Sequence, residues 1–414
     1  MGNQFKSLGA SSLVPAAMLG LLGVRGAMTR AELAASLHVS SATITSVSKQ
    51  LIARNMVTEL DEIYGEGRPA RPLALNGNNG RIAGLKIAPS HVTMVISGLD
   101  GKVFTQNTEP FHVAEDGGID EMTRIVQRFV DKEPSLLGLG VGIPGAVDSP
   151  ERGVVNAPSI QLRNARIGET LQQRLGMPVF VENDVNALAI AEQVYGAGRS
   201  CSTYMVLTIG RGIGCGLVIN DEMHRGANGD AGEIGHFPMQ PDSDRICPDG
   251  HRGCLDSLIG SSGLLARARE LGLSQGAVSE APIDEQMEAI DEYAQRARSG
   301  NARIRADLFE WAGDLLGKAV AGAVNLFDPE TLVLLGEGMP QWDLWEPGFE
   351  RALRAGLMES RRSVPYLAGS WDESRWALGA AALVISSLFN RSDSGRMSKA
   401  VRSRLSQIAL GKYA

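Results

Sequence analysis

One stretch of the sequence, HFPMQPDSDRICPDGHRGCLDS at residues 236–257, concentrates side chains that bind metals. It holds two of the four cysteines, two of the six histidines and four aspartates. Thiolate, imidazole and carboxylate groups are the ligands that Zn²⁺ takes in proteins. With His251 as a ligand, the spacing is Cys247-x3-His251-x2-Cys254. Asp249 stands where a third cysteine would complete a thiolate-rich site. The stretch predicts a metal site, with a metal-free loop containing two buried thiols as the alternative.

A second set of polar side chains has the composition of a sugar site. The segment VEND places Asn183 and Asp184 at the tip of a predicted strand, and AGEIGH places Glu233 and His236 three residues apart. Asp256 lies within the metal-binding stretch. Polyhydroxyl ligands need several converging donors and acceptors, so these residues are candidates to bind one. Spacing alone is equally compatible with an Asx turn at VEND and a helix cap at Glu233.

The elements that must position these residues begin at residue 82. From there the chain alternates strands, glycine-rich turns and helices, as in VFVENDVNALAIAEQVYG and YMVLTIGRGIGCGLVIND. Such alternation predicts α/β units. Their order predicts a two-lobed actin-like (ribonuclease H-like) ATPase or sugar-kinase fold, in which two α/β lobes close on a cleft.

The first segment has a different pattern, typical of a winged helix-turn-helix. Thr29 and Glu32 form a capping box, and Ser40 after a short turn is a predicted N-cap. A helix around residues 13–24, with Leu19 and Leu22, would complete a three-helix core. The buried stripe of the last helix is predicted at Ile44, Val47 and Leu51.

The opposite face of that last helix and the following wing are predicted to contact DNA. Small polar side chains with one base suit the major groove, and a stiff arginine-bearing tip in GEGRPARP suits the minor groove. The predicted DNA-binding residues are Ser41, Thr43, Thr45, Ser46, Lys49, Arg68 and Arg71. A small helical dimerisation or capping domain is the alternative.

Composition and charge agree with a soluble DNA-binding protein. The chain has a net charge of −7, yet residues 1–75 carry seven basic and five acidic side chains. A mildly basic head on an acidic body favours nucleic-acid contact at the head. No apolar run is long enough for a membrane span. Four cysteines in a chain of this length do not form a disulfide scaffold, so we expect a reduced, cytoplasmic protein.

Four segments, VENDVNALAIAEQVYGAGR, TIGRGIGCGLVIND, HRGANGDAGEIGHFPM and NLFDPETLVLLGEG, resemble the signature blocks of the ROK family (repressors, open reading frames, kinases). The resemblance covers roughly residues 82–390, and a winged helix ending in Gly-Arg-Pro resembles the family's transcription regulators, the N-acetylglucosamine and xylose repressor type. It implies a winged helix at 1–77 and a two-lobed sugar-kinase-like domain at 78–390. Residues 391–414 are predicted from their own pattern to form a basic amphipathic C-terminal helix.

The resemblance also implies roles for the polar residues. In the family the sugar hydroxyls are held by the residues that match Asn183, Asp184, Glu233 and His236, and by a glutamate at position 256. In family kinases the residue matching Asp184 is the general base. The family's zinc site matches His236, Cys247, Asp249 and Cys254, where Zn²⁺ would be structural. The aspartate at 256 is one methylene shorter, which should alter which sugar fits.

The first phosphate-binding turn of the family's kinases is altered here. Lys86 stands in place of an aspartate that helps to hold Mg²⁺-ATP, and Ala88 and Pro89 stand in place of glycines. A lysine cannot accept from a metal, and proline has no N–H for a phosphate. We therefore expect no kinase activity and no ATP requirement. The glycines of TIGRGIGCG are retained, so an ATP-dependent sugar kinase with an appended DNA-binding domain is the alternative.

The sequence therefore predicts a sugar-responsive transcriptional regulator, most simply a repressor. Its partners would be operator DNA, a sugar or sugar-phosphate effector, and further copies of itself in a homodimer or homotetramer. A regulator that has lost its ligand and responds to a partner protein is a third hypothesis. The basic tail is predicted to dock on the protein's own body or on another subunit; its helical pattern comprises Arg396, Met397, Lys399, Val401, Arg402, Arg404, Leu405 and Ile408.

Overall fold

A computed structural model describes most of the 414-residue chain. It covers residues 14–62, 69–77, 80–112, 118–133, 135–247, 250–273, 283–387, 399–401 and 403–404. The chain divides into two compact units. The first comprises Met1–Ser200 with Ser374–Ala414, and the second comprises Cys201–Glu373.

The N-terminal segment of the first unit is a three-helix bundle followed by a two-stranded antiparallel wing. In chain order its elements are α1 (Val14–Arg25), α2 (Arg30–Leu37), α3 (Ser41–Ala53), β1 (Val57–Glu59) and β2 (Leu73–Leu75). The predicted capping box is present, because Thr29 Oγ1 accepts from Glu32 N and Glu32 Oε2 accepts from Thr29 N at 2.8 Å. The predicted apolar positions are buried: Leu19, Leu22, Ile44, Val47 and Leu51.

Arg30 joins the three layers of this segment. Its Nε donates to Ser48 Oγ of α3 at 3.1 Å, and its guanidinium forms an ion pair with Glu59 of β1. Two nitrogens of one guanidinium therefore bond to two different elements. The first strand of the wing is thereby tied to both α2 and α3.

The remainder of the first unit before Ser200 is built on a mixed sheet. Its elements are β3 (Arg81–Ile87), β4 (His91–Gly98), β5 (Val103–Pro110), α4 (Gly118–Val130), β6 (Leu136–Ile143), β7 (Ala146–Val147), β8 (Val154–Ala157), β9 (Leu162–Arg166), α5 (Ile167–Leu175), β10 (Val179–Asn183) and α6 (Asp184–Tyr195). The main sheet has the order β10-β6-β3-β4-β5, and β7, β8 and β9 form a small separate sheet. Strands β3, β4 and β5 are antiparallel, while β6 and β10 run parallel to β3.

The second unit repeats the same strand plan. Its elements are β11 (Tyr204–Ile209), β12 (Ile213–Ile219), β13 (Glu222–Met223), α7 (Leu255–Ile259), α8 (Ser261–Glu270), α9 (Ile283–Arg298), α10 (Ala302–Ile304), a π-helical segment (Arg305–Glu310), α11 (Trp311–Phe327), β14 (Thr331–Leu335), α12 (Trp342–Gly356) and β15 (Tyr366–Ala368). The sheet order is β13-β12-β11-β14-β15, with three antiparallel strands followed by two parallel neighbours. The repeated topology agrees with the predicted pair of α/β lobes.

The chain then returns to the first unit as α13 (Ser374–Ser386), which packs on strands β3 and β6. Two glycines make this packing possible. A Cβ atom at Gly84 would lie 1.9 Å from Ala377 O, and one at Gly140 would lie 1.7 Å from Ala380 O. Any side chain at either position would force the helix away from the sheet.

The described part of the C-terminal tail docks on the first unit. Val401 is fully buried, and Arg404 donates to Leu136 O at 3.1 Å and to Gly176 O at 2.8 Å. Lys399 is also among the described residues. The other residues of the predicted tail pattern lie outside them: Arg396, Met397, Arg402, Leu405 and Ile408.

Arg199, just after α6, joins that helix to the N-terminal bundle. Its Nε donates to Val194 O at 2.6 Å, and its Nη2 donates to Gly23 O at 3.1 Å. Both acceptors lie in the last turn of a helix, α6 and α1 respectively, where carbonyl groups lack intrahelical partners. One guanidinium thus caps the C-terminal ends of two helices.

In the described part of the chain, no helix has the length and apolar character needed to cross a bilayer.

Candidate functional site

The predicted DNA-reading face of α3 lies on the surface. Ser40 caps the helix, with its Oγ accepting from Thr43 N at 3.1 Å. Four of the predicted residues are exposed: Ser41, Thr45, Ser46 and Lys49. Thr43 is half-buried, and its hydroxyl lies 2.8 Å from Ser40 Oγ. The face therefore presents small polar groups and one cation, as a helix that enters a groove requires.

The wing is described only at its base. Arg71 is exposed, and its Nε lies 3.2 Å from Glu62 Oε1. Exposed pairs of this kind are weak and exchange easily for other partners, including phosphates. Arg68 lies outside the described residues, so its contact with DNA stays a prediction.

Asp184 begins α6 and is held in a buried ion pair with Lys86 at the end of β3. The Asp184 and Lys86 side chains are 12% and 10% exposed, and the Lys86 ammonium also lies 4.5 Å from the centre of the Trp376 ring of α13. The other carboxylate oxygen, Oδ1, accepts from Val185 N at 2.9 Å. The charge of Asp184 is therefore compensated by Lys86.

Asn183 is the N-cap of α6 and forms the Asx turn that spacing alone allowed at VEND. Its Oδ1 accepts from Val185 N at 2.9 Å and from Asn186 N at 3.1 Å, and its Nδ2 donates to Gly145 O at 3.1 Å. The sequence itself indicates this cap, because Asn directly before an amphipathic helix is a favoured N-cap. Its predicted contact with a sugar is untested by this geometry.

The turn that follows β3 contains Ala88 and Pro89, the two residues predicted to have lost a phosphate-binding role. The backbone N–H of Ala88 donates to His91 O at 2.9 Å, and Pro89 has no N–H to donate. A phosphate cradle needs several backbone N–H groups pointing outward. Neither residue supplies one.

Asp256 supports the glycine-rich hairpin of the second unit. Its Oδ1 accepts from Ile213 N at 2.8 Å, beside the turn that joins β11 to β12. A Cβ atom at Gly212 would lie 2.8 Å from the same oxygen. The Asp256 carboxylate thus bonds to the backbone of the hairpin. A contact from Asp256 to a sugar stays a prediction.

Glu233 and His236 are brought together by a short 3-10 helix, Ile234–His236. Glu233 is exposed, and its Oε2 lies 3.8 Å from His236 Nε2. Glu233 stands at the N-cap position of this helix, although its side chain makes no cap hydrogen bond there. The preceding Gly232 has a φ of +96°, and a Cβ there would lie 2.0 Å from Cys215 O, so only glycine fits.

The other nitrogen of His236 faces a cluster of metal-binding atoms. His236 Nδ1 lies 3.7 Å from Cys247 Sγ, and ligand atoms of His236, Cys247 and Cys254 all lie within 4.8 Å of one another. Both cysteines are buried, and burial raises the pKa of the Cys254 thiol. Two thiols beside an imidazole are a donor set that fits Zn²⁺, whose charge would stabilise the thiolates.

The loop that carries these cysteines is closed by a hairpin and held by an arginine. Residue pairs Pro238–Cys254 and Ile246–Arg252 form antiparallel bridges. Arg245 Nη1 donates to Leu258 O and Gly263 O, each at 3.1 Å, and its Nη2 lies 2.8 Å from Glu270 Oε1. Nothing in the local sequence around Arg245 indicates this role. Asp249, the predicted carboxylate ligand, lies outside the described residues, whereas His251 Nδ1 lies 3.8 Å from Cys247 Sγ.

Comparison with known proteins agrees with the predicted family. The chain is 28% identical to the N-acetylglucosamine repressor of Escherichia coli O6:H1 (strain CFT073), covering 91% of this chain and 93% of that protein. It is 27% identical to the xylose repressor of Caldicellulosiruptor bescii, covering 74% and 78% respectively.

The fold has a close structural counterpart. The crystal structure of a ROK family transcriptional regulator, described as a homolog of the Escherichia coli MLC protein, matches with a TM-score of 0.74. It is 22% identical and covers 97% of this chain and 99% of that one, which confirms the predicted fold class. The ROK family model matches residues 82–387, most of the chain outside the winged helix. The chain belongs to the ROK family.

Proposed function

We propose that this protein is a sugar-responsive, DNA-binding transcriptional repressor of the bacterial cytoplasm. The observation that carries the proposal is the winged helix-turn-helix, with an exposed polar α3 face, joined in one chain to a ROK domain. Relatives matched over 91% and 74% of this chain are named N-acetylglucosamine repressor and xylose repressor, respectively. Residues 1–77 would bind operator DNA, and residues 78–390 would bind the effector. Residues 391–414, the tail, would dock on the protein's own body or on another subunit.

The ROK domain would bind its effector without phosphorylating it. Lys86 pairs with Asp184, the residue that would have to accept a proton in a kinase. The turn at Ala88 and Pro89 supplies no N–H for a phosphate. Phosphoryl transfer depends on positioning and charge, and both are altered here.

The effector would be a sugar or sugar phosphate. The proposed ligands are Asn183, Asp184, Glu233, His236 and Asp256. An effector shifts a regulator only if it binds the DNA-competent and DNA-released states with different affinity. A homodimer or homotetramer would place two winged helices on paired half-sites.

A structural Zn²⁺ would orient the effector site. His236 directs Nδ1 toward the cysteines and Nε2 toward Glu233. A metal at Nδ1 would fix the ring and leave the other nitrogen as an N–H donor. Bound there, the metal would supply geometry and thiolate stabilisation, with no role in a reaction.

DNA binding is tested by fluorescence anisotropy with a duplex taken from the region upstream of the protein's own coding sequence. We expect affinity at least about a thousandfold above that for a scrambled duplex of equal length. Lys49→Ala should lower the slope of log affinity against log salt by about one, because one phosphate contact is lost. Lys102→Ala, at an exposed lysine in the turn between β4 and β5, is the matched control. Equal affinity for both duplexes would refute specific operator binding.

Effector binding is tested by thermal shift against glucose, N-acetylglucosamine and xylose, each free and phosphorylated. A ligand at a hundred times its Kd stabilises the folded state by about 2.7 kcal/mol, which a melting curve detects. Glu233→Gln should reduce the shift, whereas Glu222→Gln at an exposed strand residue should not. The same sugars with ATP test for turnover. Phosphorylated product would favour the kinase alternative, and no shift with any sugar would favour control by a partner protein.

A further inference from the structure

His251 lies across a tight hairpin from Cys247, inside the loop that carries the proposed metal site. Cys247 N donates to His251 O at 2.9 Å, and Gly250 N donates to Cys247 O at 2.8 Å. The adjacent pair, Ile246 and Arg252, forms an antiparallel bridge. Directly opposite residues of an antiparallel pair project their side chains to the same face. The backbone therefore directs the imidazole of His251 toward the Cys247 thiol.

Two imidazole nitrogens lie close to the Cys247 sulfur. Cys247 Sγ lies 3.7 Å from His236 Nδ1 and 3.8 Å from His251 Nδ1. With Zn–S of about 2.3 Å and Zn–N of about 2.0–2.1 Å, tetrahedral geometry separates sulfur from nitrogen by about 3.6 Å. Both separations are close to this value. The two imidazole rings meet edge to face with their centres 5.4 Å apart, so they approach the thiol from different directions.

The charge and the mobility of the side chains also favour this histidine. Two thiolates and two neutral imidazoles leave a Zn²⁺ centre without net charge, and Cys₂His₂ is a common structural set. The close-set ligand atoms, within 4.8 Å of one another, belong to His236, Cys247 and Cys254. His251 is exposed, so its ring can rotate the remaining distance without disturbing packed neighbours.

We infer that His236, Cys247, His251 and Cys254 form the metal site, with His251 as the fourth ligand in place of the thiolate that the family's third cysteine supplies. The inference rests on the proposed metal binding and specifies its ligand set. It makes Asp249 dispensable for the metal.

The test measures Zn²⁺ affinity of the full-length chain after removal of metal by a chelator under reducing conditions. The unaltered protein should take up one Zn²⁺ per chain. His251→Ala should weaken affinity at least about tenfold in competition with a chromophoric chelator, and His251→Cys should retain tight binding. Asp249→Asn should match the unaltered protein, as should Asp244→Asn, a matched loss of charge on the same loop. Circular dichroism verifies that each variant is folded.

Cobalt gives an independent readout of the same ligand set. Tetrahedral Co²⁺ in the unaltered protein should absorb strongly in the visible region, and the band should change in His251→Ala but not in Asp249→Asn. Tight zinc binding by His251→Ala, or weakening by Asp249→Asn, would overturn the inference while leaving the proposed metal binding intact. A chain that takes up no metal would overturn both. Operator and sugar binding are measured separately and do not depend on either result.

Discussion

At the scale of single residues, the pairing of Lys86 with Asp184 changes what the chemistry of the first unit can be. Both groups are largely shielded from water, so each charge depends on the other. A carboxylate that acts as a base must be able to take a proton from substrate. Here the Lys86 ammonium is paired with the Asp184 carboxylate, and the Trp376 ring lies beside the same ammonium.

Removing one partner of this pair should cost more than removing both charges. Lys86→Met retains the alkyl chain but leaves Asp184 buried and uncompensated, which we expect to lower the free energy of unfolding by about 3 kcal/mol. Lys86→Met combined with Asp184→Asn should recover part of that loss. Chemical denaturation of the four proteins in the cycle measures the coupling energy.

The matched control for this cycle is Lys102→Met, at an exposed lysine of the same unit. It should change stability by less than about 0.5 kcal/mol. If the two single substitutions at Lys86 and Asp184 prove additive within about 0.5 kcal/mol, the pair is not coupled and its proposed role is wrong.

At the scale of secondary structure, very few residues determine where a helix begins and how closely it packs. Ser40 alone fixes the start of α3, the helix proposed to read DNA. Two glycines, in β3 and β6, fix how closely α13 approaches the sheet. The first effect is local in sequence, while the second joins residues that are far apart along the chain.

Ser40→Ala should shorten α3 at its first turn. Loss of a serine N-cap costs about 1 kcal/mol, because a backbone N–H loses its partner. Ser46→Ala, at an exposed position within the same helix, should leave stability unchanged or raise it by up to about 0.5 kcal/mol. Thermal and chemical unfolding report the difference. Similar effects from both substitutions would show that the cap does not determine where α3 begins.

Gly140→Ala should be among the most destabilising single-methyl changes in the protein. The added Cβ would lie 1.7 Å from a backbone carbonyl of α13, so the helix or the strand must shift. We expect a loss of about 2–3 kcal/mol. Gly322→Ala in α11 is the control, because an added Cβ there meets nothing within 4 Å and should stabilise the helix by up to about 1 kcal/mol. Unaltered stability of Gly140→Ala would show that α13 is not packed as described.

The sequence could predict features that depend on neighbouring residues, and it could not predict contacts between residues far apart along the chain. The capping box at Thr29, the cap at Ser40 and the buried stripe of α3 are confirmed, because each depends on residues within two turns of one another. The ion pair of Lys86 joins residues 98 positions apart, so its partner could not be read from spacing. The backbone contact of Asp256 was missed for the same reason. Of the predicted metal ligands, three are brought together and Asp249 lies outside the described residues.

At the scale of the whole molecule, the winged helix is attached to the rest of the first unit by specific hydrogen bonds as well as by the chain itself. Arg199 bonds the last turns of α1 and α6. Helix α6 starts at Asp184 and spans twelve residues, or about 18 Å. The buried ion pair and the anchor of the first helix thus lie at opposite ends of one rigid element.

Arg199→Ala should loosen the N-terminal bundle selectively. Two hydrogen bonds from a partly exposed guanidinium are lost, which we expect to reduce local stability by about 1 kcal/mol. Hydrogen exchange of α1 amides should then accelerate roughly fivefold, while amides of β6 keep their protection. Arg163→Ala, at an exposed arginine of the same unit, should change neither. Equal acceleration in α1 and β6 would indicate global destabilisation instead.

The late position of α13 in the chain has a consequence for how the protein is made. Strands β3 and β6, on which α13 packs, are complete by Ile143, but the helix itself ends at Ser386. At synthesis rates of about 5–20 residues per second, the ribosome needs roughly 10–50 s to cover that distance. During this interval the surface around Gly84 and Gly140 is not yet covered by α13. Chaperone engagement of the emerging polypeptide should accordingly persist until translation has passed the final helix.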